Sequence, residues 1–270
     1  MSADQSQHPH PDCTSADSGL VSRIIASPNH GERKGVTTPD CLILHYTGMP
    51  SGSGAISWLC DPASQVSCHY VVEEDGAVFQ LVSEQRRAWH AGRGHWAGVS
   101  DINSHSIGIE IVNPGHDAGA PPFPEVQIRS VIDLSTDICS RNAIRPERVL
   151  AHSDIAPARK RDPGESFPWE TLHAAGVGHL VSPAPLGSGR FFARGDAGQP
   201  VEALQAMLAL YGYGVDVTGQ FDEATEQVVR AFQRHFRRDR VDGVADSSTI
   251  ITLRDLIATL PPAVSAKPSA

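Results

Sequence analysis

The run DCLILHYT at 40–47 is apolar and β-branched up to a polar end, the pattern of a strand. HYVVEEDGAVFQLV at 69–82 reads as two short strands joined at a Glu-Asp-Gly turn. SIGIEIVN at 106–113 alternates with period two, placing Ile107, Ile109 and Ile111 on one face and Gly108, Glu110 and Val112 on the other. Over 125–142 the spacing changes to that of a helix, with Val126, Ile128, Val131, Ile132, Leu134 and Ile138 along one stripe. RVLAHSDI at 148–155 begins as a further short strand. These elements predict an α/β block with a mixed central β-sheet flanked by helices.

A second block has a different texture. A helix is predicted at 200–211 from Val201, Leu204, Leu208 and Tyr211, and an internal repeat follows it. VTGQFDEATEQVVRAF at 217–232 and VDGVADSSTIITLRDL at 241–256 share Val, Gly, Asp, Thr and Arg at identical offsets, with Phe232 answered by Leu256. Each copy is a Gly-containing turn, an Asp placed to cap a helix, and an amphipathic run. The expected product is a small C-terminal three-helix bundle with no evident catalytic group.

Punctuation divides the chain. Residues 1–19, rich in Ser, Asp, His and Pro, are expected to be a disordered tail, as are residues 261–270. SPAPLGSG at 182–189 has the composition of a linker. The larger domain then covers 20–181 and the smaller one 190–260.

Composition narrows the chemistry. The formal charge is −9, from 22 Lys and Arg against 31 Asp and Glu, which opposes a nucleic-acid partner because phosphate binding needs a positive footprint. The basic clusters are short: RKR at 159–161, and RHFRRDR at 234–240, where arginines are favoured near the end of a helix. Five cysteines without a CxxC pair argue against a disulfide framework or a cysteine-rich zinc module. No window supplies the roughly 18 consecutive apolar residues of a membrane span. The polar N-terminus lacks an export signal, so the expected compartment is the cytoplasm, or the periplasm if a leader has been removed.

Three residues are distributed as a compact metal centre would need: His45 at the end of one strand, His152 at the end of another, and Asp162 beyond a proline-broken loop. Imidazole nitrogens and a carboxylate oxygen make up the donor set of a catalytic zinc that keeps one position for water. Spacing alone leaves the alternative open that His45, His69, His90 and His152 are hydrogen-bonded structural histidines. Glu110 is a lone carboxylate in an apolar strand, suited either to an exposed face or to proton transfer near an activated water. Lys160 fits either a solvated position in RKR or a cation that stabilises an oxyanion.

LILHYTGM at 42–49, VSCHYVVEEDGAVFQLV at 66–82, RRAWHAG at 86–92, SIGIEIVNPG at 106–115 and AHSDIAPARKRDPG at 151–164 together resemble the zinc-dependent N-acetylmuramoyl-L-alanine amidases of the amidase-2 type, which share their fold with peptidoglycan recognition proteins. The resemblance implies one catalytic Zn2+ on His45, His152 and Asp162, with Glu110 as general base and Lys160 as oxyanion stabiliser. His69, His90 and Trp89 are then residues of the pocket or of the shell behind the ligands. Phage-type members carry a tyrosine just before the second-segment histidine, where this chain has Cys68, which favours the Glu110 route. The 190–260 block resembles the three-helix peptidoglycan-binding domain often appended to such enzymes.

The activity so implied is hydrolysis of the amide between N-acetylmuramic acid, or its 1,6-anhydro form, and L-alanine of the stem peptide, with muropeptides or peptidoglycan fragments as partners and cell-wall recycling as the setting. Two rivals stand beside it: a catalytically silent peptidoglycan recognition module, and a periplasmic amidase acting on intact wall.

Overall fold

The run CLILHY lacks the polar positions of a half-exposed strand, and it lies inside a sheet with a neighbour on each side. The computed structural model describes residues 13–187, 189 and 191–261. Its strands are Arg23–Ile24 (β1), His30–Glu32 (β2), Cys41–Tyr46 (β3), Tyr70–Val72 (β4), Val78–Gln80 (β5), Arg86–Ala88 (β6), Ser106–Ile111 (β7) and Val149–Ala151 (β8). Its α-helices are Gly52–Leu59 (α1), Ile102–His105 (α2), Glu125–Asn142 (α3), His152–Ile155 (α4), Trp169–Ala174 (α5), Gln199–Tyr211 (α6), Glu223–Phe236 (α7) and Ser247–Ala258 (α8). One sheet runs in the order β1-β5-β4-β7-β3-β8, and β2 pairs with β6 in a separate ribbon. It is mixed: β7 is parallel to both β3 and β4, while β4 and β5 form the expected antiparallel hairpin.

The described residues form two compact units, one of the residues up to Arg93 together with Asp101–Arg145, the other of Gly94–Ser100 together with the residues from Pro146 on. In the first, the register of β3 and β7 runs from Cys41↔Ser106 to Tyr46↔Ile111. Leu42, Leu44, Ile107, Ile109 and Ile111 consequently share one face and are buried. The α3 helix spans the 125–142 predicted from periodicity, and Gln127 on it donates to the carbonyls of Val72 and Val112 at 3.1 and 2.8 Å.

Two features of this unit differ from the expectations. Of the supposed tail, residues 1–12 lie outside the described residues, as do 262–270 at the other end, but 13–19 are attached. The Asp17 carboxylate accepts from the Glu84 amide at 2.8 Å, and the Asp17 amide donates to Gln80 Oε1 at 2.9 Å. The α1 helix was not anticipated, because GSGAISWL carries two glycines and two serines. It is started by Ser51, whose side chain accepts from the Gly54 amide at 3.2 Å. No disulfide forms among the described cysteines.

The second unit holds the three long helices α6, α7 and α8. Asp222 and Asp246 cap α7 and α8 as the repeat predicted, each accepting from the amide three residues on, Thr225 and Thr249. A further equivalence was not read from the sequence. Gln205 and Gln233 are buried, and each accepts from two amides of the following turn while donating back to a carbonyl of that turn. The predicted linker is held at Ala184, which donates to Thr252 Oγ1 at 3.0 Å and accepts from Ser248 at 2.6 Å.

Within the second unit, residues 94–100 and 146–181 group with the helices. Trp96 meets Tyr213 at 4.9 Å between ring centroids, and the Ala97 amide donates to the Gly212 carbonyl at 2.7 Å. Gly212 is required there: a Cβ would lie 2.5 Å from the Trp96 ring, and its φ of 137° disfavours other residues.

Candidate metal centre

His45 is the last fully buried residue of β3, and its partner across the parallel ladder is Glu110 of β7. Residues paired in register project to the same face, so Ser106, Gly108 and Glu110 share the side of the sheet that carries His45. His90 packs onto that side. The Ser106 hydroxyl donates to the Ile102 carbonyl at 2.6 Å, so its oxygen accepts from His90 Nε2 at 3.2 Å. Nδ1 of a neutral His90 then accepts from His45 Nε2–H at 3.0 Å, which leaves Nδ1 of His45 as the lone-pair nitrogen. Gly108 makes the room, since a Cβ would stand 2.5 Å from the His90 ring.

His152 follows the last residue of β8 and opens the short α4. The loop that leaves α4 returns on itself: the Ser153 amide donates to the Asp162 carbonyl at 3.0 Å, and the Lys160 amide to the Ala156 carbonyl at 3.0 Å. This closure brings His152 Nδ1 within 3.0 Å of Asp162 Oδ2, with both side chains buried. The Asp162–Pro163 peptide is cis. His45, His152 and Asp162 each offer a ligand atom, and the three atoms lie within 4.8 Å of one another.

Residues 35–165 match the N-acetylmuramoyl-L-alanine amidase family, and residues 197–253 match a peptidoglycan binding domain. The N-acetylmuramoyl-L-alanine amidase AmiD of Escherichia coli is 40% identical over 225 residues, which cover 77% of this chain and 78% of that protein. The chain belongs to the N-acetylmuramoyl-L-alanine amidase family. The 1,6-anhydro-N-acetylmuramyl-L-alanine amidase AmpD of Enterobacter cloacae is 31% identical over 169 residues, 56% of this chain and 88% of that one. Among solved structures, E. coli AmiD in complex with the substrate anhydro-N-acetylmuramic acid-L-Ala-D-γ-Glu-L-Lys superposes with a TM-score of 0.70 at 34% identity, over 85% of this chain and 97% of that one. AmpDh3 of Pseudomonas aeruginosa, in complex with an anhydromuramic pentapeptide, gives 0.66 at 28% identity, over 89% and 96%.

In this amidase, Glu110 is half-buried on the strand beside His45. Lys160 is half-buried too, and lines a groove of about 360 Å3 with Arg159, Arg161, Arg194, Glu226 and Arg230. His69 lies deeper than a pocket residue. It is fully buried, its Nδ1 accepts from the Gly108 amide at 3.0 Å, and its Nε2 faces the Arg86 carbonyl at 3.1 Å. Burial, reinforced by the charge of Arg33, pushes its pKa down to about 3. Its ring stands edge-on to His90 at 5.6 Å, which places it behind the residue that supports His45. Trp89 is half-buried, and its indole nitrogen approaches Gly31 of β2. Cys68 is fully buried, with its thiol directed at the Tyr70 carbonyl.

Sequence reasoning missed the residues that hold these groups in place. Ser106 entered the reading only within the alternating run SIGIEIVN, and Asp154 only within RVLAHSDI. The RHFRRDR cluster is not simply a solvated helix end. Arg234 pairs with Glu165 at 2.9 Å, and Arg238 donates to the carbonyls of Glu165 and Phe167 at 2.8 and 2.7 Å and pairs with Glu170.

Proposed function

We propose that this amidase is zinc-dependent and cleaves the amide between the lactyl group of N-acetylmuramic acid, chiefly its 1,6-anhydro form, and L-alanine of the stem peptide in the recycling of cell-wall muropeptides. The observation that carries the reading is the convergence of His45, His152 and Asp162 within 4.8 Å. Two imidazoles and one carboxylate are the donor chemistry of a catalytic zinc with one open position; the donors here are buried, and His45 is oriented by the hydrogen bond to His90 behind it. A zinc ion held there supplies Lewis acidity, which polarises a carbonyl and lowers the pKa of water toward about 7.

The chain's own residues do the rest. The Glu110 carboxylate takes the proton from the attacking water as its oxygen bonds to the amide carbon. The same proton passes to the alanine nitrogen as the carbon–nitrogen bond breaks, releasing a muramyl carboxylate and a free amine. Lys160 places its ammonium toward the developing oxyanion. His90 fixes the tautomer of His45 through the bond to its Nε2–H. The helical domain matched at 197–253 binds wall glycan or peptide and raises the local concentration of substrate.

The test is release of L-alanine-terminated peptide from purified anhydro-muropeptide, followed by mass spectrometry. Chelation is expected to abolish release and one equivalent of zinc to restore it. A folded, zinc-loaded protein that bound the muropeptide and left the amide intact would be a recognition module instead. Among the described residues no helix is long and apolar enough to cross a membrane. The cytoplasmic placement is tested by fractionating cells that carry the native gene, where recovery with periplasmic markers would overturn it.

A further inference from the structure

Asp154 stands two residues past His152 and is completely buried. A carboxylate so placed needs donors on every side. Its Oδ2 accepts from the Ala151 amide at 2.8 Å, across the junction of β8 and α4, and from His235 Nδ1 at 2.7 Å. Its Oδ1 accepts from the Tyr213 hydroxyl at 2.6 Å. Two of the three donors thus come from the helical region, 59 and 81 residues along the chain.

Both donors are themselves held. The His235 ring is stacked between Trp169 at 3.7 Å and Phe236 at 3.9 Å. Tyr213 lies against Trp96, and burial together with the Asp154 charge keeps its phenol protonated as a donor. Arg234 of α7 and Arg238, two residues past its end, also grip the far side of the Asp162 loop, through Glu165 and Phe167. The turn that opens with His152 and the segment just beyond Asp162 are therefore both held by α7 and the residues that follow it, with Tyr213 beside them.

We propose that Tyr213 and His235 are positioning residues of the amidase centre: by holding Asp154 they fix the α4 turn that carries His152, so the helical region braces the catalytic loop in addition to binding wall. The proposal rests on the zinc-centre reading above. Deleting residues 190–270 would not test it, because wall binding and brace would be lost together.

The test uses the full chain with Tyr213→Phe, His235→Ala and His235→Asn. The readouts are zinc affinity by chelator competition, kcat and KM on anhydro-muropeptide, and hydrogen exchange of residues 151–162 in the metal-free protein. His235→Ala is expected to weaken zinc binding about 10- to 100-fold, the range for residues that support a ligand, to lower kcat with KM unchanged, and to speed exchange across the turn. His235→Asn, which keeps an amide donor near the Nδ1 position, is expected to recover most of each. Tyr213→Phe removes one oxygen atom and carries the test if His235→Ala does not fold. Wild-type zinc affinity and exchange in both Tyr213→Phe and His235→Ala would overturn the proposal, even with a lowered Tm. Failure of the wild-type chain to bind zinc would overturn the metal reading and leave the exchange result to judge the brace.

Discussion

His45 and Glu110 are register partners on adjacent parallel strands, projecting from the same face of the sheet one residue before the end of each strand. In the proposed mechanism this register sets the ligand and the proton acceptor side by side by backbone hydrogen bonds, without dependence on a loop.

Glu110→Gln keeps the shape and removes the proton acceptor. We expect kcat to fall by about 10²- to 10⁴-fold, the usual contribution of a positioned general base, with zinc content unchanged. Peptide release and metal analysis on the same preparation check it, and parallel loss of zinc would make Glu110 a structural residue.

Lys160→Ala is expected to cut turnover by about 10²- to 10³-fold, as loss of one oxyanion-stabilising group does, with little change in zinc affinity. Equal loss of both would move Lys160 from the chemistry to the loop's structure.

His90→Ala removes the acceptor for His45 Nε2–H and frees the ring to turn, so zinc should bind about 10- to 100-fold more weakly. Gly108→Ala should act in the same direction, because the added methyl meets the His90 ring at 2.5 Å. Chelator competition on both variants measures the effect, and wild-type affinity in His90→Ala would remove the residue from the centre.

His69 makes the metal-free fold acid-sensitive. Its pKa in the folded state is about 3, against about 6.5 when unfolded. Between these values the unfolded chain binds the extra proton, so stability is fully present above about pH 6.5 and is lost as pH falls. From pH 7.5 to 5 the wild type should lose about 2 kcal/mol more than His69→Gln does. Urea unfolding of both metal-free proteins at the two pH values gives the difference, and parallel losses would show that His69 does not titrate there.

Much of the fold was legible locally. Alternation in SIGIEIVN, the unbroken apolar run before His45 and the helical stripe from 125 to 142 each reappear as β7, β3 and α3 close to the expected bounds. In these segments periodicity, burial and backbone geometry agree. The repeat likewise predicted its two Asp caps, since a cap bonds only to the next three residues. The α1 helix escaped because its glycines and serines give no helical signal. The attachment of Asp17 escaped because its partners lie more than 60 residues away.

By itself, then, the sequence determined which residues offer ligand and proton-transfer chemistry and which local elements carry them, because side-chain identity and short-range periodicity are properties of the chain. Tertiary structure alone decided the rest. The register of β3 on β7 set Glu110 beside His45, and the Ser106–His90 relay selected the His45 tautomer. The packing of α7 and Tyr213 on Asp154 tied the His152 turn to the helical region. Each of these is a hydrogen bond between groups far apart in sequence, where no local pattern specifies the partner and only the need to satisfy a buried polar atom does.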